Sequence, residues 1–161
     1  MKIFLVGRWS PTENRNFDTM LLTADSEVSS LKDLEGGKIG VFPGVTSQTF
    51  LKHYLRNSDI DVEEIELVPL APTVQLQALE TKQIDALWAY QPTATVGLNN
   101  GLEKIDEGIY NKLGFTYYAT YTFSGDFVTE NPDAAERFYR AMVKATEFMK
   151  ENEEESRQIL G

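Results

Sequence analysis

Hydrophobic positions along the chain fall into short runs separated by stretches with helical spacing. "KIGVF" (38–42), "IELVPL" (65–70) and "IDALWA" (84–89) are each rich in Val, Ile and Leu. Such runs read as buried strands. Between them the period changes. In 46–57, Phe50, Leu51, Tyr54 and Leu55 recur on one helical face. In 72–83, Pro72 suits a first turn, and Leu76 and Leu79 share a face. A helix over about 92–100 stops at "NNG", and "LEKI" (102–105) reads as a fourth strand. Alternating strands and helices predict right-handed βαβ units around a parallel sheet.

Two segments break this alternation. "DTMLLTAD" (18–25) and "YYATYTFSGDF" (117–127) are extended in character, rich in Thr, Tyr, Phe and Leu. They bracket the βα region, so strands over 18–25 and 117–125 are expected to join the central sheet and to lie antiparallel and adjacent. After them comes the most regular helix, 132–150. Asn131 suits the N-cap, Pro132 the first position, and Asp133 the positive end of the dipole. Ala134, Phe138, Ala141, Met142, Ala145, Phe148 and Met149 form one apolar stripe. A stripe that large needs a cover, from the chain's own sheet or from a partner chain. A short acidic helix is expected at 153–160. Its Glu153–Glu155 run reads as a solvated helix start, because consecutive carboxylates do not converge on one ion.

Composition narrows the function. The 161 residues suit one domain or two small lobes, and 42% hydrophobic content supports a real core. The net charge of −10 argues against nucleic acids and anionic membranes, which attract basic surfaces. Without cysteine there is no disulfide, thiolate metal site or cysteine nucleophile. His53 is the only histidine. It sits in "FLKHYL" with no placed partner and reads as a surface or boundary residue. No catalytic set, metal set or cofactor fingerprint emerges.

The chemistry concentrates in "GVFPGVTSQTFLKHYL" (40–55), a strand, a tight turn and a helix start. Thr46, Ser47, Gln48 and Thr49 open the helix, and no acidic residue is among them. One reading is ordinary capping by Thr46 or Ser47. The other is a site for an anion or polar heterocycle at the free N–H groups of the first turn, with Gly44 letting backbone and ligand approach closely. A second cluster, Trp88, Tyr90, Gln91 and Pro92, closes the third strand. Carboxyl ends of parallel strands open onto a ligand crevice, so Tyr90 and Gln91 are candidates there. Trp88 suits either the core or the crevice. Asp85 reads as structural, bonding nearby backbone.

Three stretches, taken together, resemble one family. They are "SSLKDLEGGKIGVFPGVTSQTFLKHYL", "QALETKQIDALWAYQPTATVGLNNG" and "FVTENPDAAERFYRAMVKATEFMKEN". In this order they look like the second lobe and return segment of type II periplasmic solute-binding proteins of ABC transporters. The nearest group would be the nitrate/sulfonate/taurine and thiamine-pyrimidine-precursor binders. The resemblance implies a three-layer αβα sandwich with a mostly parallel sheet and antiparallel crossover strands. It divides the chain into 1–25 (a remnant of the first lobe and the first crossover strand), 26–116 (the second α/β lobe) and 117–161 (the return strand and C-terminal helices). "MKIFLVGRWS" looks like the last strand of a first lobe that is otherwise missing, and it has no signal peptide.

The implied function is the solute-binding part of an ABC importer, periplasmic or otherwise extracytoplasmic in its full-length form. The ligand would be a small anionic or polar molecule such as a sulfonate, nitrate or a thiamine pyrimidine precursor. Its contacts would come from Gly44, Thr46, Ser47, Gln48, Thr49, Trp88, Tyr90 and Gln91. Permease and ATPase subunits would be its partners, without nucleic acid, and the C-terminal helices could pair two copies. Enzymatic activity is not expected. Two alternatives stand beside this. One is a thiamine-pyrimidine synthesis enzyme that consumes its own histidine, for which His53 is badly placed in mid-helix. The other is a sensory or regulatory domain.

Overall fold

Strand β5 (Ala86–Tyr90) shows how the core divides. All five residues are buried, and their side chains alternate between two apolar clusters. Ala86, Trp88 and Tyr90 join Leu51, Tyr54 and Leu55 of helix α1 (Val45–Asn57). Leu87 and Ala89 join Ala78 and Leu79 of α2 (Pro72–Glu80) and Ala94 of α3 (Thr93–Asn99). One sheet therefore carries helices on both faces, the expected three-layer sandwich. This computed structural model describes residues 2–8, 16–113 and 117–160.

The five-stranded sheet runs β4 (Glu66–Pro69), β3 (Lys38–Val41), β5, β2 (Asp18–Leu22), β6 (Glu103–Glu107). β3 pairs in parallel with β4 and β5. β2 pairs antiparallel with β5 and with β6, so it alone runs against the other strands. "LEKI" does contribute a strand, and Pro72 is the first residue of α2. Asp85 accepts the Lys38 N–H at 2.7 Å, so it is tied to backbone as expected.

The expected pair of adjacent crossover strands is not formed. β2 has its partners in β5 and β6. β7 (Tyr117–Phe123) pairs antiparallel with β1 (Lys2–Arg8) in a separate two-stranded sheet. The physical reason lies in β2, where every residue is buried. A strand with no exposed face needs neighbours on both edges and helices on both faces, so it goes inside the sheet. Asp18–Leu22, expected in the central sheet as the first crossover strand, is one of its inner strands.

The chain forms two compact units, Ser10–Thr116 and Met1–Trp9 with Tyr117–Gly161. In the second, β7 stops at Phe123, earlier than expected. Ser124 then caps α5 (Gly125–Glu130), its hydroxyl accepting the Phe127 N–H at 3.2 Å. Helices α6 (Pro132–Glu151) and α7 (Glu153–Leu160) follow, and Asn131 is the N-cap of α6. The α6 stripe reaches β7 at Phe138, whose ring lies 5.5 Å from Phe123 and 6.4 Å from Tyr121. Beyond that point the stripe does not pack away. Phe148 and Met149 keep 37% and 48% exposure, and no α6 residue is buried. Of the two covers expected, the chain's own sheet supplies one, among the described residues, at Phe138.

Candidate functional site

β3, β4 and β5 run in parallel, so their carboxyl ends share one edge of the sheet. Helix α1 starts there, directly after β3. Its N-cap is Gly44, at φ +130° and ψ 152°, a conformation that side-chain-bearing residues rarely adopt. Neither Thr46 nor Ser47 is the cap. Gly44 has no side chain to cap with, and no acidic residue occupies the first turn. Among the described residues, the amides that open α1 therefore have no side-chain acceptor, and the helix dipole there meets no carboxylate of its own first turn.

The site residues expected from the sequence separate into three groups. Gly44, Thr46 and Thr49 are exposed at the helix start, with Gln48 half-buried beside them. Ser47 is buried, and its hydroxyl lies 2.5 Å from the Phe42 carbonyl and 3.0 Å from that of Gly44. It fastens the turn to the helix, so its proton is committed to backbone. The strand-end group lies deeper than expected. Trp88 is fully buried and donates its indole N–H to Asp18 at 2.8 Å. Tyr90 is 9% exposed. Gln91, just before the Pro92 N-cap of α3, accepts from the Thr95 N–H at 3.2 Å and the Thr95 hydroxyl at 2.7 Å.

Two residues at this edge escaped the sequence reading. Asp18, fully buried, accepts from Trp88 and from the Ile109 N–H at 2.8 Å, joining β2, β5 and the short helix α4 (Ile109–Lys112). Nothing in "DTMLLTAD" marks it except that an acid stands two residues ahead of the apolar Met20–Leu22. Phe42 follows the buried Val41 yet is 38% exposed, with its ring stacked on Tyr90 at 5.7 Å. Its signal was there in "VFPG": a Phe one step past a strand and just before a turn.

Two turns along α1, Tyr54 donates its hydroxyl to Asp106 on β6, and Lys112 on α4 pairs with the same carboxylate. The Lys112 ammonium also lies 3.3 Å from the Tyr54 hydroxyl and 5.6 Å from its ring centre. Burial, then the Asp106 carboxylate, pushes the Tyr54 phenol above its ordinary pKa. Burial alone would lower Lys112, but its bonds to Asp106 and Tyr54 outweigh that and leave it raised. This cluster fixes α1 against β6 and α4. An open, charged cleft of about 470 Å³, lined by Asn16, Lys104, Ile105, Asp106, Glu107 and Lys112, runs along β6. Both of its lysines are paired with carboxylates. His53 is exposed, on α1, with its ring 3.2 Å from the Asn57 amide.

An α/β lobe with a mostly parallel sheet, one reversed strand and a bare helix start at the carboxyl edge is a periplasmic-binding-protein-like lobe. The NMT1/THI5-like family profile matches residues 9–156, and the chain belongs to that family. It is similar to a Brucella abortus protein named provisionally as a binding protein. The two are 26% identical over 136 residues, which is 83% of this chain and 42% of that one. The fold matches the periplasmic aliphatic sulphonate binding protein SsuA from Escherichia coli. The TM-score is 0.74 at 17% identity, over 96% of this chain and 48% of that one. It also matches a mutant of the desulfurization enzyme DSZB in complex with biphenyl-2-sulfinic acid. There the TM-score is 0.64 at 18% identity, over 93% of this chain and 55% of that one. The chain thus spans about half the length of these relatives.

Proposed function

We propose that this chain is the ligand-gripping part of a solute-binding protein that serves an ABC importer outside the cytoplasm, and that it holds a small organic anion, a sulfonate for choice, at the start of α1. The observation that carries this reading is the helix start itself. Its first-turn amides have no side-chain cap and no neighbouring acid in the turn, and they stand at the carboxyl edge of parallel strands. Val45, Thr46 and Ser47 would supply the free N–H groups, and Thr46 and Thr49 the hydroxyls. Gln48 would reach the ligand from the same turn. Ser47, Tyr90 and Trp88 would act from behind, by holding the turn and the strand end. The names borne by the Brucella and Escherichia coli proteins support a binding role over a catalytic one, and the desulfurization enzyme keeps catalysis as a second reading. The opposing observation within this chain is that its single histidine is exposed in mid-helix.

Calorimetric titration with methanesulfonate tests the reading. Thr46→Asp places a carboxylate on the first turn, where it repels an anion, and should weaken binding by about tenfold or more. Equal affinity in the parent and Thr46→Asp would show that α1 is not the anion site. Turnover of the sulfonate by the parent chain would favour the catalytic reading.

A further inference from the structure

We propose that Phe42 selects the organic part of the ligand: it offers a flat aromatic face to an unsaturated ring whose anionic head lies at the start of α1. This rests on the proposed binding at that helix start. Phe42 is the outermost of a stack of rings. One side packs on Tyr90, with the planes inclined by 28° and centres 5.7 Å apart. Tyr90 in turn lies 5.1 Å from Phe17 and meets Trp88 edge-on at 5.2 Å. Trp88 is fully buried and held by Asp18. The Phe42 ring cannot retreat into the sheet without displacing this stack, and it keeps 38% exposure.

Its position relative to the helix is also fixed. The Ser47 hydroxyl, on the first turn of α1, lies 2.5 Å from the Phe42 carbonyl, so ring and helix start move as one piece. No charged side chain occurs from residue 39 to residue 51. Val45, between ring and hydroxyls, is 82% exposed. This stretch therefore offers a ligand backbone donors, hydroxyls and apolar contact, and no charged group of its own. An inorganic anion would use the donors and leave the ring in water. An anion bearing a flat ring uses both. A saturated ring of the same size gains the apolar contact but not the quadrupole interaction between stacked aromatic faces.

Benzenesulfonate and cyclohexanesulfonate carry the same head group on rings of similar size, and methanesulfonate carries the head group nearly alone. Each is titrated calorimetrically into the parent, Phe42→Leu and Phe42→Tyr. The parent should prefer benzenesulfonate to cyclohexanesulfonate by about twofold to tenfold. Phe42→Tyr should keep that ratio. Phe42→Leu should bring it to about one while methanesulfonate binds as before. A ratio of one or below in the parent, or one that survives in Phe42→Leu, would overturn the proposal and leave the helix-start reading standing. If Thr46→Asp leaves all three affinities unchanged, or none of the three binds, the helix-start reading fails and this inference falls with it.

Discussion

Helices α1 and α6 are both amphipathic, yet only one of them buries its apolar face. In α1, Leu51 and Leu55 are wholly inaccessible and Tyr54 nearly so. In α6, Phe138, Phe148 and Met149 stay 41%, 37% and 48% exposed. The difference lies in what each helix faces. α1 lies on a five-stranded sheet whose strands β2 and β5 are buried along their whole length. α6 meets a two-stranded ribbon, at Phe138. An amphipathic pattern reports which side of a helix requires cover; it does not report where in the chain that cover lies.

The largest effect that separates the two helices should come from truncation. Leu51→Ala or Leu55→Ala leaves a cavity in a closed core and should cost about 2–5 kcal/mol. Phe148→Ala removes a side chain already in partial contact with water and should cost under about 1 kcal/mol. Urea midpoints read both, and similar losses would break the comparison. Next in size is Trp88→Phe, which keeps a six-membered aromatic ring, removes the rest of a fully buried indole and takes one donor from the buried Asp18 carboxylate. It should cost about 1–3 kcal/mol. A neutral result would mean that Asp18 does not depend on this donor. Smaller again is Ser47→Ala, which releases the Phe42–Gly44 turn at a cost of about 1 kcal/mol. Faster amide exchange at Val45 and Thr46 should accompany it, with α6 unaffected.

The smallest effect is one of pH. Tyr54 and Lys112 both have pKa values raised by folding. Such groups stabilise the fold fully below their unfolded values, about 10 for each, and that stability is lost as pH rises through the folded values. The Lys112 side chain is 47% exposed, so solvent screening keeps its share small. The urea midpoint should fall as pH rises above about 10, and fall less in Tyr54→Phe. Equal slopes in parent and variant would remove the Tyr54 cluster from the account of how α1 is held.

Elements with a local cause were legible in the sequence, and contacts between distant segments were not. Apolar spacing located α1 to within a residue, and Pro72 marked the start of α2. Strand order is a long-range outcome. The 18–22 run, apolar only at Met20–Leu22, does not name its neighbours, so its place between β5 and β6 was missed. The short α4 and α5 and the 3-10 turn at Leu31–Leu34 were missed for another reason. They are too brief to show a period. At the site, a small boundary error had a large consequence. The third strand was expected to end at Ala89, which left Tyr90 beyond it. β5 runs through Tyr90 and draws that ring into the core, while β3 stops at Val41 and leaves Phe42 outside. The exposed aromatic at the edge is therefore Phe42.

The central claim is that an anion binds at the start of α1, and the amide resonances of the isotope-labelled chain test it most directly. During titration with methanesulfonate, the N–H signals of Val45, Thr46, Ser47, Gln48 and Thr49 should shift most and saturate together. Signals of Lys104 and Lys112, in the charged cleft along β6, should stay in place. Shifts concentrated at those lysines, with Val45–Thr49 unmoved, would contradict the account.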